Sequence, residues 1–440
     1  MIINNSDART KNYALQVEGA VFYRAIGIGS TFVALPLTIR YLGQLQFGVW
    51  TTLLSIITWM IFFDFGIGHG LKNEVAESLA KNDFLKVRKL VSAGYTAIGI
   101  LSITILFCFL ILSFFLSWQS IFNTKEVEEV SLRAAVQIAA IFMLLNFWFG
   151  LVNSLLGALQ KTSLITLNQT ISSCLSLLLL FFLVRYTSGE IWKLSIAYGC
   201  ALCAPNIIST LILIRRRPEF CPKFCIETKH WKSLLGIGSH FFVIQLAVMI
   251  LFLTDKILIT QIFGPEYVTQ YEVVFKIFSV VTLAHSLIST PLWSAYTDAY
   301  HRADYSWIKK MLSKQIFIYI AVIFSTLIIA FLMSSIVKIW IGSEIKISIS
   351  LIFSMAMFVL ISSWNNIFAM LVNGIGRVKP QLFTSIIAMI LNIPLAFLFT
   401  KYFEFGVSGV VFATCISLLF AAVVLPSQVR LIFKEYSHGT

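Results

Sequence analysis

What this chain has least of is charge. Only 12% of its 440 residues are Asp, Glu, Lys or Arg, about half the roughly 25% of a soluble domain. No polar stretch runs beyond about 20 residues, which excludes a sizeable aqueous domain. A chain that is 58% hydrophobic cannot cover itself with a polar surface, so the bilayer must be its solvent. Acids are scarcer than bases, 20 against 33, which leaves a net charge of +13. That excess lies on alternate loops, the pattern of the positive-inside rule, and argues against nucleic acid as a partner.

Catalytic and cofactor signatures are also missing. The sequence contains no HExxH, no Walker motif and no Ser-His-Asp set, so neither zinc hydrolysis nor ATP hydrolysis is expected and no cofactor is implied. The seven cysteines are scattered. Cys200 and Cys203 form a CxxC, but within an apolar segment that no strand precedes. Cys221, Cys225 and His230 share one basic loop, yet a fourth zinc ligand is absent and the spacing is unusual. The polar N-terminal residues 1–13 run into a full-length apolar segment, which is not the pattern of a cleavable signal.

What is present is a series of apolar runs. Twelve spans are predicted, at 15–39, 46–69, 91–116, 134–159, 163–184, 194–214, 235–262, 272–298, 314–337, 348–373, 381–400 and 406–428. They are read as helices, because a helix satisfies its own backbone in lipid. One set of loops carries Lys72, Lys81, Lys86, Arg88 and Lys89, then Lys161, then Arg215 to Lys232, then Arg302, Lys309, Lys310 and Lys314, then Arg377 and Lys379. The other set holds only Arg40, Lys125, Arg133, Arg185, Lys193, Lys338, Lys346 and Lys401. The richer set faces the cytoplasm, which puts both termini inside.

The longest basic loop, 215–232, falls at the midpoint. It divides the chain into an N-terminal six-helix lobe (1–214), a cytoplasmic linker (215–232) and a C-terminal six-helix lobe (233–440). The halves echo one another. Span 1 leaves the membrane as LTIRYLGQLQFGVW (37–50) and span 7 as LITQIFGPEYVTQY (258–271). LLGALQKTSL (155–164) likewise echoes VNGIGRVKPQL (372–382). Two parallel halves around a midplane site is a known transporter plan.

Against this background the charges inside spans stand out. Arg24 lies about 13 Å into span 1 at the helical rise. A charge at the centre of a membrane helix costs roughly 2.5–3.5 kcal/mol on insertion scales and persists where it pairs or lines a wet cavity. Asp64 lies in span 2, Asp255 and Lys256 in span 7, and Glu272 and Lys276, an i,i+4 pair, in span 8. Gln245 shares a helical face with Lys256, and the Gly43–Gly264 register sets it opposite Arg24 in the repeat. Arg24, Lys256, Lys276 and Gln245 are expected to meet an anionic substrate; Asp64, Asp255 and Glu272 are expected to serve as ion-pair or gating residues. Two alternatives stay open: Arg24 pairing with Glu18 or Asp64, and the four charges of spans 7 and 8 acting as a fastening cluster. Asn146, Asn153, Asn365, Asn366, Asn373 and Asn392 are expected to bond between helices.

Several segments carry a family resemblance: YLGQLQFGVW (41–50), FFDFGIGHGL (62–71), the loop NEVAESLAKNDFLKVRKLVSAG (73–94), TDKILITQIFGPEYVTQYEVVFKI (254–277) and PLWSAY (291–296). Together they resemble the polysaccharide-export and O-antigen flippases (Wzx-type) of the multidrug/oligosaccharidyl-lipid/polysaccharide (MOP) exporter superfamily. The resemblance implies an all-α membrane fold of twelve helices in two six-helix lobes around a central cavity, MATE-like in plan. It also implies a non-enzymatic flippase in a bacterial inner membrane, moving an undecaprenyl-diphosphate-linked oligosaccharide. A polysaccharide polymerase and a chain-length regulator would be its partner proteins. Two rivals are a cation-coupled multidrug exporter of the same superfamily and a membrane-embedded polymerase or glycosyltransferase. The first calls for cavity carboxylates without matching bases; the second calls for a larger outer loop than WQSIFNTKEVEEVSLR (118–133).

Overall fold

The computed structural model describes residues 5–60, 66–223, 239–342 and 345–437. Within them the chain is helical throughout. Helix α1 (Asn5–Thr58) is followed by α2 (Ile67–Ala80), α3 (Phe84–Phe115), the single turn α4 (Trp118–Ile121), α5 (Glu129–Phe149), α6 (Leu151–Ala158), α7 (Thr162–Tyr186) and α8 (Ile191–Arg216). After the linker come α9 (Ser239–Phe263), α10 (Pro265–Ser289), α11 (Leu292–His301), α12 (Tyr305–Ile341), α13 (Ile349–Gly374), α14 (Lys379–Phe397) and α15 (Val407–Ser437). Ten helical segments among the described residues are long and apolar enough to cross a membrane. The first of these, 18–58, breaks at Gly43 into two, and Ser239–Phe263 adds an apolar helix of 25 residues. Those are the twelve spans expected.

Span 2 differs from its prediction as one run over 46–69. The helix that starts after Gly43 ends at Thr58, and α2 begins separately behind Gly66, a left-handed residue with φ 83°. Apolar composition continues through 59–67, so a hydropathy window cannot see this break.

The chain divides into two compact units, 1–242 and 243–440, with the division inside α9. In the first unit α1 packs along α7, α5 along α8, and α7 along α8. A buried core joins α2, α3 and α6 through Leu71, Val75, Leu90, Ile98, Val152 and Leu155. Phe220, in the 3-10 turn Pro218–Phe220 after α8, is fully buried in that core, and the Lys223 amide beyond it donates to Ser92 Oγ at 2.9 Å. The second unit repeats the plan. Its α13 and α14 pack on α15, and its core joins α11, α12, α13 and α15 through Tyr296, Ile308, Leu312, Phe368, Val372 and Val429. The lipid-facing surface is apolar: Phe115 on α3 and Phe331 on α12 are 83% and 88% exposed, as suits side chains solvated by acyl chains.

The internal repeat is written in the backbone. Gly43 (φ 76°, ψ 171°) and Gly264 (φ 109°, ψ 159°) end the first helix of each half in the same extended, positive-φ geometry. Only glycine adopts it without strain. Asn82 and Ala303, both at φ 56°, close α2 and α11 with matching pairs of backbone bonds: Asn82 N to Leu79 O with Asp83 N to Ser78 O, and Ala303 N to Tyr300 O with Asp304 N to Ala299 O. Asp83 and Asp304 then cap α3 and α12 by accepting from Lys86 N and Trp307 N. Gln160 and Gly376 repeat the device after α6 and α13.

Candidate functional site

Arg24 lies on α1 where that helix runs along α7. Small residues bring the two backbones close: a Cβ on Gly19 would sit 3.3 Å from Ser163 Cβ, and one on Gly27 would sit 3.3 Å from Thr170 Oγ1. Thr170 Oγ1 donates to Tyr23 O at 2.6 Å, and Ser30 Oγ meets Cys174 Sγ at 3.2 Å. Small side chains and hydroxyl-to-backbone bonds are what membrane helices use to pack where lipid supplies no hydrophobic drive. Beside this seam opens a cavity of about 200 Å³ lined by Arg24, Gly27, Ile28 and Thr31 from α1, and by Thr166, Gln169, Thr170 and Ser173 from α7. Arg24 is exposed. No acidic side chain among the described residues pairs with it, Glu18 included. The cavity thus holds a guanidinium that no described acidic side chain compensates, beside hydroxyl and amide groups, and a guanidinium of that kind can bind a phosphate through paired N–H groups.

The charges of the second unit are arranged differently. Lys256 Nζ on α9 lies 2.7 Å from Glu272 Oε2 on α10, both side chains 17% exposed. This ion pair joins the two helices, as expected of a cluster that fastens spans 7 and 8, and makes Lys256 a compensated cation. Asp255, 3% exposed, stands apart from that pair. It accepts from Tyr271 OH at 3.2 Å and from Thr414 Oγ1 at 3.4 Å, while Asn392 Nδ2 donates to Thr414 Oγ1 at 2.9 Å. This network fastens α9 to α10, α14 and α15. Lys276 is half-buried on α10. Asp64 and the side chain of Gln245 lie outside the described residues.

The asparagines bond between helices. Ser209 Oγ donates to Asn168 Oδ1 (2.8 Å), Asn168 Nδ2 to Asn153 Oδ1 (3.3 Å), Asn153 Nδ2 to Asn206 Oδ1 (3.1 Å) and Asn206 Nδ2 to Asn146 Oδ1 (2.8 Å). The chain of amides links α5, α6, α7 and α8. Asn168, Asn206 and Ser209 were not singled out in the sequence; their regular polar interruption of apolar helices was the available signal. In the second unit Asn366 Oδ1 accepts from Ser289 Oγ and Asn365 Nδ2 donates to Leu418 O. Glu129 stands at the start of α5. It accepts from the Trp118 and Gln119 amides and pairs with Arg133 at 3.1 Å. Cys203 donates to Phe142 O across helices, and Cys200 is free, so the CxxC is packing rather than a redox pair. Cys225 and His230 lie outside the described residues, and no metal-binding cluster occurs among those described.

Comparison with known proteins agrees with this architecture. Residues 20–296 match the family model described as polysaccharide biosynthesis protein. A candidate O-antigen export protein of Yersinia pseudotuberculosis is 23% identical over 81% of this chain and 82% of its own length. A candidate O-antigen transporter of Salmonella typhi is 24% identical over 80% and 81%. Among solved structures, a multidrug-resistance MATE transporter of the MOP superfamily superposes with a TM-score of 0.77 at 16% identity, over 95% of this chain and 99% of that one. A MOP superfamily transporter from Pyrococcus furiosus superposes with a TM-score of 0.66 at 16% identity, over 95% of both chains, and its binding pocket is described as reversed in polarity. The fold is therefore that of the MOP superfamily.

Proposed function

Since the chain belongs to the polysaccharide biosynthesis protein family, we propose that it is a flippase, moving an undecaprenyl-diphosphate-linked oligosaccharide across the bacterial inner membrane by alternating access. The observation that carries this reading is Arg24, a guanidinium with no acidic partner among the described residues, in a cavity with polar lining on an apolar helix pair. The diphosphate of such a lipid cannot cross hydrocarbon with its hydration lost and nothing in exchange. A guanidinium offers a bidentate, charge-assisted replacement for that water. The relatives named as O-antigen transporters support the same cargo class. Both termini are cytoplasmic in this reading, because the basic loops face inward. With no nucleotide-binding motif in the sequence, the energy would come from a gradient or from consumption of the cargo on the far side.

A cationic drug as cargo is disfavoured by the same residue: a like charge in the cavity raises the cost of binding. Among the described residues, no carboxylate lines the Arg24 cavity to offset it. Lys256 and Glu272 are proposed as a fastener of α9 to α10 in this mechanism, not as a cargo site.

The test is surface polysaccharide display in cells whose own copy of the gene is replaced. Arg24→Ala should reduce display at least tenfold at unchanged protein level, and Arg24→Lys should restore part of it, because charge survives while the planar fork is lost. Normal display by Arg24→Ala at ordinary protein level would remove Arg24 from the mechanism.

A further inference from the structure

On α12 the exposed residues Phe317, Phe324, Ile328 and Ile339 fall on one helical stripe, spaced i, i+7, i+11 and i+22. The stripe runs about 33 Å at the helical rise, which matches the roughly 30 Å of a bilayer's hydrocarbon. Lys314 and Lys310 continue the same stripe at its N-terminal end, one and two turns outside Phe317, and both are exposed. That is the depth at which lipid headgroups begin. Helical side chains lean toward the N-terminus of their helix, so both ammoniums are carried out of the hydrocarbon. Ser313, also exposed, adds a hydroxyl beside them.

Two lysines at i and i+4 lie side by side on a helix and repel. No acid relieves them. The carboxylates of this turn are taken: Asp298 pairs with Arg302 at 3.0 Å, and Asp304 accepts from Ser306 Oγ and Trp307 N. Neither Lys310 nor Lys314 has an acidic partner among the described residues. A phosphate between them supplies the missing negative charge, and Ser313 can donate to the same oxygens. The first unit lacks this pair. In the register that sets Gly43 on Gly264 and Asp83 on Asp304, Lys310 falls on Lys89, but Lys314 falls on Ala93, which is buried.

We propose that Lys310, Ser313 and Lys314 form a headgroup site for an anionic phospholipid of the bilayer, carried by the second unit alone. The apolar stripe is what commits the site to a lipid. An acidic protein segment would meet the lysines but not the residues beyond them. A phospholipid lays its acyl chains along Phe317 and Phe324 while its phosphate reaches the bases. The excess of bases on this side assigns the lipid to the inner leaflet. The site does not depend on which cargo the protein moves.

Native mass spectrometry of the full-length protein tests this, with phosphatidylglycerol and phosphatidylcholine of identical acyl chains as the two probes. A base near an anionic lipid surface contributes about fivefold in binding. The wild type should therefore prefer phosphatidylglycerol at its tightest site by at least about fivefold. Lys310→Gln combined with Lys314→Gln should bring the two lipids within about twofold of each other, while the paired Arg substitutions should keep the preference, because the charge survives. Lys89→Gln, at the repeat position that has no second base, should leave the preference unchanged. A preference that persists in the paired Gln variant, or that is lost equally in Lys89→Gln, would overturn the site. So would a wild type that treats both lipids alike. If that wild type binds a soluble polyglutamate peptide through the same two lysines, they belong to an acidic protein partner instead.

Discussion

A guanidinium and an ammonium in apolar helices meet opposite environments in this chain. Arg24 has no acidic partner among the described residues and stands beside hydroxyls, whereas Lys256 is neutralised by Glu272 at 2.7 Å. Sequence alone showed both charges equally well, because a basic residue in an apolar run is conspicuous wherever it occurs. It did not show their partners. Glu272 has Lys276 one turn away on its own helix and Lys256 on the preceding one, and the sequence left both contacts open; the ion pair at 2.7 Å runs to Lys256. The α7 side of the Arg24 cavity was equally hidden. Thr170 bonds to Tyr23 across 147 positions of sequence, and a Thr or Ser in a membrane helix looks the same whether it lines a cavity or merely bonds back to its own turn. The Lys256–Glu272 pair carries its own prediction. Removing one half leaves the other charge poorly solvated. Lys256→Met should therefore lower stability, and adding Glu272→Met should recover part of the loss. A coupling of about 0.5–3 kcal/mol is expected from a double-mutant cycle of unfolding in detergent. Additive losses would show that the two side chains do not support each other.

Among the elements, the repeat was the most legible feature and the helix breaks the least. The Gly43–Gly264 echo was visible as a pattern, and both glycines occupy a backbone region nearly closed to other residues. The second sequence echo falls on the turns at Gln160 and Gly376, both at positive φ. The helix end at Thr58 and the fresh start of α2 behind Gly66 were not legible, because the sequence there is mostly apolar and hydropathy averages over it. The separate helix α2 was thus merged with the membrane span. At Gly43 the consequence of substitution can be isolated. A Cβ there would meet nothing within 4 Å, so Gly43→Ala is penalised by backbone strain alone. A loss of about 1–3 kcal/mol is expected, read as a lower melting temperature in detergent. Gly29→Ala is the matched control, since it also has open space around it but lies within the helix. Equal melting of the two variants would show that the φ of Gly43 carries no constraint.

At the scale of the whole molecule, composition alone fixed the solvent: a chain with 12% charge and 58% hydrophobic residues has to live in lipid. Twelve spans in two related halves followed from hydropathy and loop charge, and the fold is that of the MOP superfamily. Fold does not decide cargo, since this architecture carries multidrug exporters as well as the O-antigen relatives. What separates those functions is the chemistry of the cavity. A cation exporter and an anionic-lipid flippase demand opposite charge in the same kind of helix seam, and the guanidinium beside α7 favours the second. The seam itself is held by bonds that leave Arg24 uninvolved, through Thr170 to Tyr23 and Ser30 to Cys174.

The most direct measurement is translocation by the purified protein in sealed proteoliposomes. Undecaprenyl diphosphate bearing a labelled oligosaccharide is placed in one leaflet, and its arrival in the other is read by a glycosidase that cannot cross the membrane. The account predicts protein-dependent translocation that falls at least tenfold in Arg24→Ala, with no transport of a fluorescent organic cation by the same vesicles. Cation transport without movement of the glycolipid, or glycolipid movement indifferent to Arg24→Ala, would contradict it.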